Sequence, residues 1–139
     1  MNILIIEDEI FAARRLVNML AELDPGLNVV AQLESVRDSI KWFQSNPEPD
    51  LILLDIHLED DLSFTIFKAV NISAPVVFTT ATDEMAARAL DILGIDYLLK
   101  PIVQEELAAI ISKYANAPRS GRIALDPSVF DGIVNRTSQ

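Results

Sequence analysis

The chain contains no cysteine in its 139 residues, which excludes disulfides and thiolate metal sites and fits a cytoplasmic protein. Glycine is scarce: the four residues are Gly26, Gly94, Gly121 and Gly132, and none follows the first apolar block. Dinucleotide and flavin phosphates need a glycine-rich first loop with free backbone N–H groups, so those ligands are excluded. No apolar run approaches the roughly 18 residues of a membrane span. The opening run Ile3-Leu4-Ile5-Ile6 also lacks the preceding basic residues of a secretory signal. No membrane partner is therefore expected. Positive charge is scarce as well, with 11 Lys and Arg against 21 Asp and Glu, a net charge of −10. The imbalance lies in residues 1–115, which hold 19 acidic and 8 basic side chains. Such a surface repels phosphate backbones, so the chain by itself is not expected to bind nucleic acid.

What is present is an alternation of two hydrophobic periods. Apolar blocks of strand length fall at 2–6, 28–33, 51–54, 76–79 and 95–99. Several are continuous, as expected of parallel strands covered on both faces. Helix-period segments separate them, marked by Ile10, Ala13, Leu16, Leu20 and Leu23, then by Val36, Ile40 and Phe43 behind a capping Ser35. Phe67 and Val70 mark a short third helix, Ala86, Ala89, Leu90 and Leu93 a fourth, and Val103, Leu107, Ile110 and Tyr114 a fifth. Pro25-Gly26, Ala74-Pro75 and Gly94 punctuate the joints. Five strand–helix units imply an α/β fold, a doubly wound parallel sheet with helices on both faces. The pattern breaks after Tyr114. Residues 1–116 read as one domain and 117–139 as linker and tail, in which Asp126-Pro127 either caps a short helix reaching Asn135 or belongs to a disordered segment.

Open α/β sheets gather ligands at the carboxyl ends of their strands. The residues found there are Glu7-Asp8-Glu9 after strand one, Asp55 after strand three, Thr79-Thr80 after strand four and Lys100-Pro101 after strand five. If strands one and three are neighbours, Asp8 and Asp55 share one crevice. Carboxylates about 5 Å apart repel by roughly 3 kcal/mol at an effective dielectric near 20. A cation or a shifted pKa must relieve that repulsion. All-oxygen ligands suit Mg²⁺. A carboxylate nucleophile at Asp55, a metal, the Lys100 ammonium and the Thr80 hydroxyl together match aspartyl-phosphate chemistry. Glu9 reads as an ordinary acid at a helix N-terminus.

The ordered motifs I-L-I-I-E-D-E, L-I-L-L-D, V-F-T-T-A and D-Y-L-L-K-P resemble the receiver domain of two-component response regulators, over residues 1 to about 115. The last two resemble receivers of the LytTR (LytR/AlgR-type) transcriptional regulator group in particular. The resemblance implies a flavodoxin-like, five-stranded sheet of order 2-1-3-4-5 with five helices. It implies that Asp55 accepts a phosphoryl group from a sensor histidine kinase. Glu7, Asp8, Asp55 and the backbone carbonyl of His57 would hold Mg²⁺. Thr80 and Lys100 would bind phosphoryl oxygens, Tyr97 would be an aromatic switch coupled to Thr80, and the bond before Pro101 would be cis. Activation would reshape the face made by helix four, strand five and helix five and favour a homodimer. It would regulate transcription through a C-terminal DNA-binding domain absent from these residues. The chain would then be a switch, not an enzyme with a diffusible product. One departure from the family is the loop 56–63, which lacks its common Met-Pro and glycine. Two alternatives are a receiver-like interaction module independent of phosphorylation, and a Mg²⁺-dependent phosphohydrolase. The second lacks its usual acid two residues after the nucleophile, where His57 stands.

Overall fold

A computed structural model describes residues 1–81, 84–117 and 125–131. The strands are β1 (Asn2–Ile6), β2 (Asn28–Leu33), β3 (Leu51–Asp55), β4 (Val76–Thr80) and β5 (Tyr97–Leu99), and the helices are α1 (Ile10–Leu23), α2 (Val36–Ser45), α3 (Ile66–Ala69), α4 (Glu84–Ile92) and α5 (Gln104–Ala115). All strand pairings are parallel, in the order β2-β1-β3-β4-β5. The five-helix, doubly wound sheet expected from the alternation is therefore the observed fold.

The alternating side-chain directions of a strand divide the core in two. Ile3, Ile5, Leu51 and Leu53 pack with Leu16 and Leu20 of α1 and Leu107 and Ile111 of α5. Leu4, Ile6, Ile52 and Leu54 face the other way, toward Val36 of α2, Phe67 of α3 and Leu90 of α4. The central strands β3 and β4 are buried at every position, whereas the edge strand β2 alternates exposed and half-buried residues. That difference explains why 51–54 reads as a continuous apolar run.

Local signals set several boundaries. The Ser35 side chain accepts a hydrogen bond from the Asp38 N–H (3.0 Å), the capping contact expected at the start of α2. Asp24 accepts from the Gly26 and Leu27 N–H groups and closes the turn into β2. Gly94 has φ 72°, the left-handed conformation glycine tolerates best, as the chain leaves α4. Three strand boundaries differ from expectation: β3 and β4 each run one residue further, to Asp55 and Thr80, and β5 begins at Tyr97 instead of residue 95. The short third helix is observed as the four residues of α3, preceded by a 3₁₀ turn at Ser63–Thr65.

The tail contributes to the core. Asp126 accepts from the Ser128 N–H (3.0 Å) and caps a 3₁₀ turn over Pro127–Phe130, with Pro127 in its first turn. Phe130 is 1 % exposed and belongs to the cluster of Leu54, Phe64 and Phe78. The expected linker at 118–121 and the proposed continuation to Asn135 lie outside the described residues.

Candidate functional site

Parallel register assembles the site. Ile6 pairs with Leu54, so the residues after them, Glu7 and Asp55, lie side by side where the two strands end. Asp55 pairs with Thr79 and Thr80 with Leu99, which brings Lys100 to the same rim. Backbone bonds continue the ladders past the strands: Glu7 N–H to the Leu33 carbonyl (2.9 Å), Ile56 N–H to that of Thr79 (3.1 Å), and Lys100 N–H to that of Thr80 (2.8 Å). The rim is thus held by the sheet itself.

Carboxylate oxygens of Glu7, Asp8 and Asp55 lie within 4.8 Å of one another. Glu7 and Asp55 are buried, and Asp8 is half-buried. The Lys100 ammonium bridges the first two, donating to Glu7 Oε1 and to Asp55 Oδ2, the latter at 2.9 Å. Burial alone would lower the Lys100 pKa. Hydrogen bonds to Glu7 and Asp55, and their charges, outweigh burial and hold it above the ordinary lysine value. Asp8 is pushed up by burial first, then by contact with Glu7 and its charge. The all-oxygen donor set, and an Asp8 carboxylate that burial and Glu7 disfavour, both fit a bound cation such as Mg²⁺.

Thr80 is fully buried, and its hydroxyl, like that of Ser63, has no hydrogen-bond partner among the described residues. Leaving such a group unpaired normally costs about 1–3 kcal/mol. The His57 N–H donates to Asp55 Oδ1 at 3.3 Å. His57 bridges Leu62 in antiparallel fashion through bonds that use the Ile56 carbonyl (from Ser63 N–H, 2.8 Å) and the Leu58 N–H (to Asp61, 3.1 Å). The bridge therefore leaves the His57 carbonyl unused, while the imidazole is exposed. Tyr97 is half-buried, pairs with Phe78 and packs on the β4–α4 side of the core. The Lys100-Pro101 peptide bond is cis.

The glycine-free loop after Asp55 closes through contacts that the sequence did not reveal. The Asp60 carboxylate accepts from the Val36 (2.8 Å) and Arg37 (3.1 Å) N–H groups and caps α2 across 24 residues. Burial works to raise its pKa, but these backbone bonds win and lower it. Arg15 was also missed; its guanidinium donates to the Ile102 carbonyl (2.8 Å) and ties α1 to the segment carrying Lys100. Neither contact has a local signal, since each joins distant parts of the chain.

A sequence profile of the response regulator receiver domain matches residues 3–112. Among curated relatives, the sensory transduction protein LytT of Bacillus anthracis is 30 % identical over 123 residues, covering 86 % of this chain and 49 % of its own length. The positive alginate biosynthesis regulatory protein of Pseudomonas aeruginosa is 34 % identical over 128 residues, covering 90 % of this chain and 50 % of the relative. The chain thus spans about half the length of these curated relatives. A crystal structure of a two-component response regulator from Clostridium difficile superposes with TM-score 0.69 at 28 % identity, covering 86 % of this chain and 99 % of that one.

Proposed function

The chain belongs to the response regulator receiver domain family, and from that premise we propose that Asp55 accepts a phosphoryl group from a sensor histidine kinase in a Mg²⁺-dependent reaction. The carrying observation is the join of three acidic side chains, one lysine and one unpartnered buried hydroxyl at a single rim. An Asp55 carboxylate oxygen forms the new bond to phosphorus. The donor's bond to phosphorus breaks, and its electron pair stays with the donor. Glu7, Asp8, Asp55 and the His57 carbonyl would hold Mg²⁺, which when bound neutralises charge on the transferring group. Lys100, already at hydrogen-bond distance from Asp55, stabilises the phosphoryl oxygens. The Thr80 hydroxyl donates to one of them and gains the partner it lacks.

The response is a population shift between two states. Thr80 moves toward the phosphoryl group, Tyr97 reorients, and the α4–β5–α5 face changes. Ile92, Leu93 and Leu99 are exposed large apolar residues on that face, which supports its use in homodimerisation. The resemblance to the LytTR group, together with the match to about half the length of LytT and the alginate regulator, supports a transcriptional output through a DNA-binding domain outside these residues. The net charge of −10 argues that the receiver itself does not contact DNA. Incubation with a small acyl phosphate and Mg²⁺ should add one phosphate to the intact chain and none to Asp55→Ala. An unchanged mass for the parent chain would favour the phosphorylation-independent interaction module, unless rapid turnover of an external phosphate ester revealed the phosphohydrolase.

A further inference from the structure

We propose that residues 125–131 form an internal ligand of the receiver, seated between the turn that follows the Asp55 loop and strand β4, and that its seating is linked to phosphoryl occupancy at Asp55. The proposal rests on the phosphoacceptor role of Asp55. The seat is apolar and built from three elements. Phe64 comes from the 3₁₀ turn, Phe67 from α3 and Phe78 from β4. Phe130 stacks on Phe64 with ring centroids 4.6 Å apart and planes at 13°. It also meets Phe67 at 5.0 Å and Phe78 edge-on at 5.7 Å. The Leu125 N–H donates to the Ile72 carbonyl (3.1 Å) and fixes the segment's other end just after α3. With α3 only four residues long, an aromatic ring from the tail fills space beside these phenylalanines.

Two of the rings that touch Phe130 lead straight to the pocket. Phe64 follows Ser63, whose N–H is bonded to the carbonyl of Ile56, the residue after Asp55. Phe78 precedes Thr79, the register partner of Asp55, and stands two residues before Thr80. Phe130 therefore bridges the loop that follows the acceptor and the strand that carries the unpartnered hydroxyl. A phosphoryl group drawing Thr80 toward Asp55 pulls on both arms, which the Ile56 N–H to Thr79 carbonyl bond (3.1 Å) and the edge-on contact of Phe64 with Phe78 (5.3 Å) couple, so that a shift in either reaches Phe130. Close-packed aromatic contacts do not absorb such a shift without loss. Linkage makes the effect reciprocal: if pocket occupancy weakens the seating, the seated segment weakens pocket occupancy by the same factor.

The test uses the full chain with Mg²⁺ and beryllofluoride as the phosphoryl mimic. Amide hydrogen exchange at residues 125–131 should change by about fivefold or more on adding the mimic, and Asp55→Asn should abolish the change. Phe130→Leu, which keeps an apolar side chain and is checked for folding by circular dichroism, should alter the mimic's affinity by a similar factor. Mimic binding with exchange at 125–131 unchanged within about twofold would overturn the linkage and leave the phosphoacceptor role standing. Failure of the parent chain to bind the mimic would overturn both. The exchange measurement on the parent chain needs no variant, so it decides the question even if Phe130→Leu is unstable.

Discussion

Thr80 sets stability against the proposed function within one side chain. Its hydroxyl is buried without a partner among the described residues. Valine has nearly the same shape and no polar atom to desolvate. Thr80→Val should therefore stabilise the chain by about 1 kcal/mol, read as a higher urea midpoint at unchanged slope. The same variant should bind beryllofluoride more weakly, because the arriving oxygen loses its donor. A lower midpoint would mean that the hydroxyl is satisfied in solution and is not held in reserve. Thr80, Asp55, Asp8, Glu7 and Lys100 were legible in the sequence for one reason: each stands at or just past the end of an apolar block, and parallel strands bring such ends together. Which acid the lysine meets was not legible. The ammonium's bridge from Glu7 to Asp55 depends on β1 lying beside β3 and on the exact reach of the chain after β5.

At the scale of elements, the polar ties between helices and loops decide how firmly the sheet's ends are held. The start of β5 is fastened to α5 by Asp96, which accepts from Lys113 (2.6 Å) and from the Tyr114 hydroxyl. Burial tends to raise the Asp96 pKa, but these bonds and the Lys113 charge outweigh it and lower it below the ordinary carboxylate value. A depressed carboxylate gives stability that is complete above the unfolded pKa near 4 and lost as pH falls through the folded value. Tyr114 has the opposite displacement, raised by burial and by Asp96. Its contribution is complete below the unfolded pKa near 10 and declines as pH rises beyond it. Asp96→Asn should cost about 1–2 kcal/mol at pH 7, discounted because Lys113 is largely exposed, and should flatten the acid arm of a urea-midpoint profile below about pH 5. A parallel profile, merely displaced, would show that Asp96 acts through packing and not through its charge. Helical periodicity gave the five helices away, including the short α3, but not the contacts that take up the segment after it. Glu48 accepts from the Ser73 N–H and hydroxyl and the Ala74 N–H, and the Ile72 carbonyl accepts from Leu125. Such ties span 25 residues or more and leave no periodic trace.

For the molecule as a whole, the dominant electrostatic fact is a net charge of −10, to which the cluster of Glu7, Asp8 and Asp55 at the carboxyl end of the sheet contributes three acids. Any cation should relieve general self-repulsion by screening, and that benefit depends only on ionic strength. A cation that the three acids bind must do more, because it binds the folded chain and not the unfolded one. At a hundred times its dissociation constant, such an ion adds about 2.7 kcal/mol to the unfolding free energy. Titrating MgCl₂ against NaCl at matched ionic strength separates the two effects. The melting temperature should rise further with Mg²⁺, and the excess should saturate. Asp8→Asn should lose most of that excess while keeping the response to NaCl, since it removes one of the three acids and leaves the Lys100 bridge between Glu7 and Asp55 intact. Coinciding Mg²⁺ and Na⁺ curves would show that the Lys100 ammonium already neutralises the cluster sufficiently, and would remove the divalent ion from the account of Asp55 phosphorylation. The chain's acidity would then be a property of the fold's exterior alone, with no share in assembling the rim around Asp55.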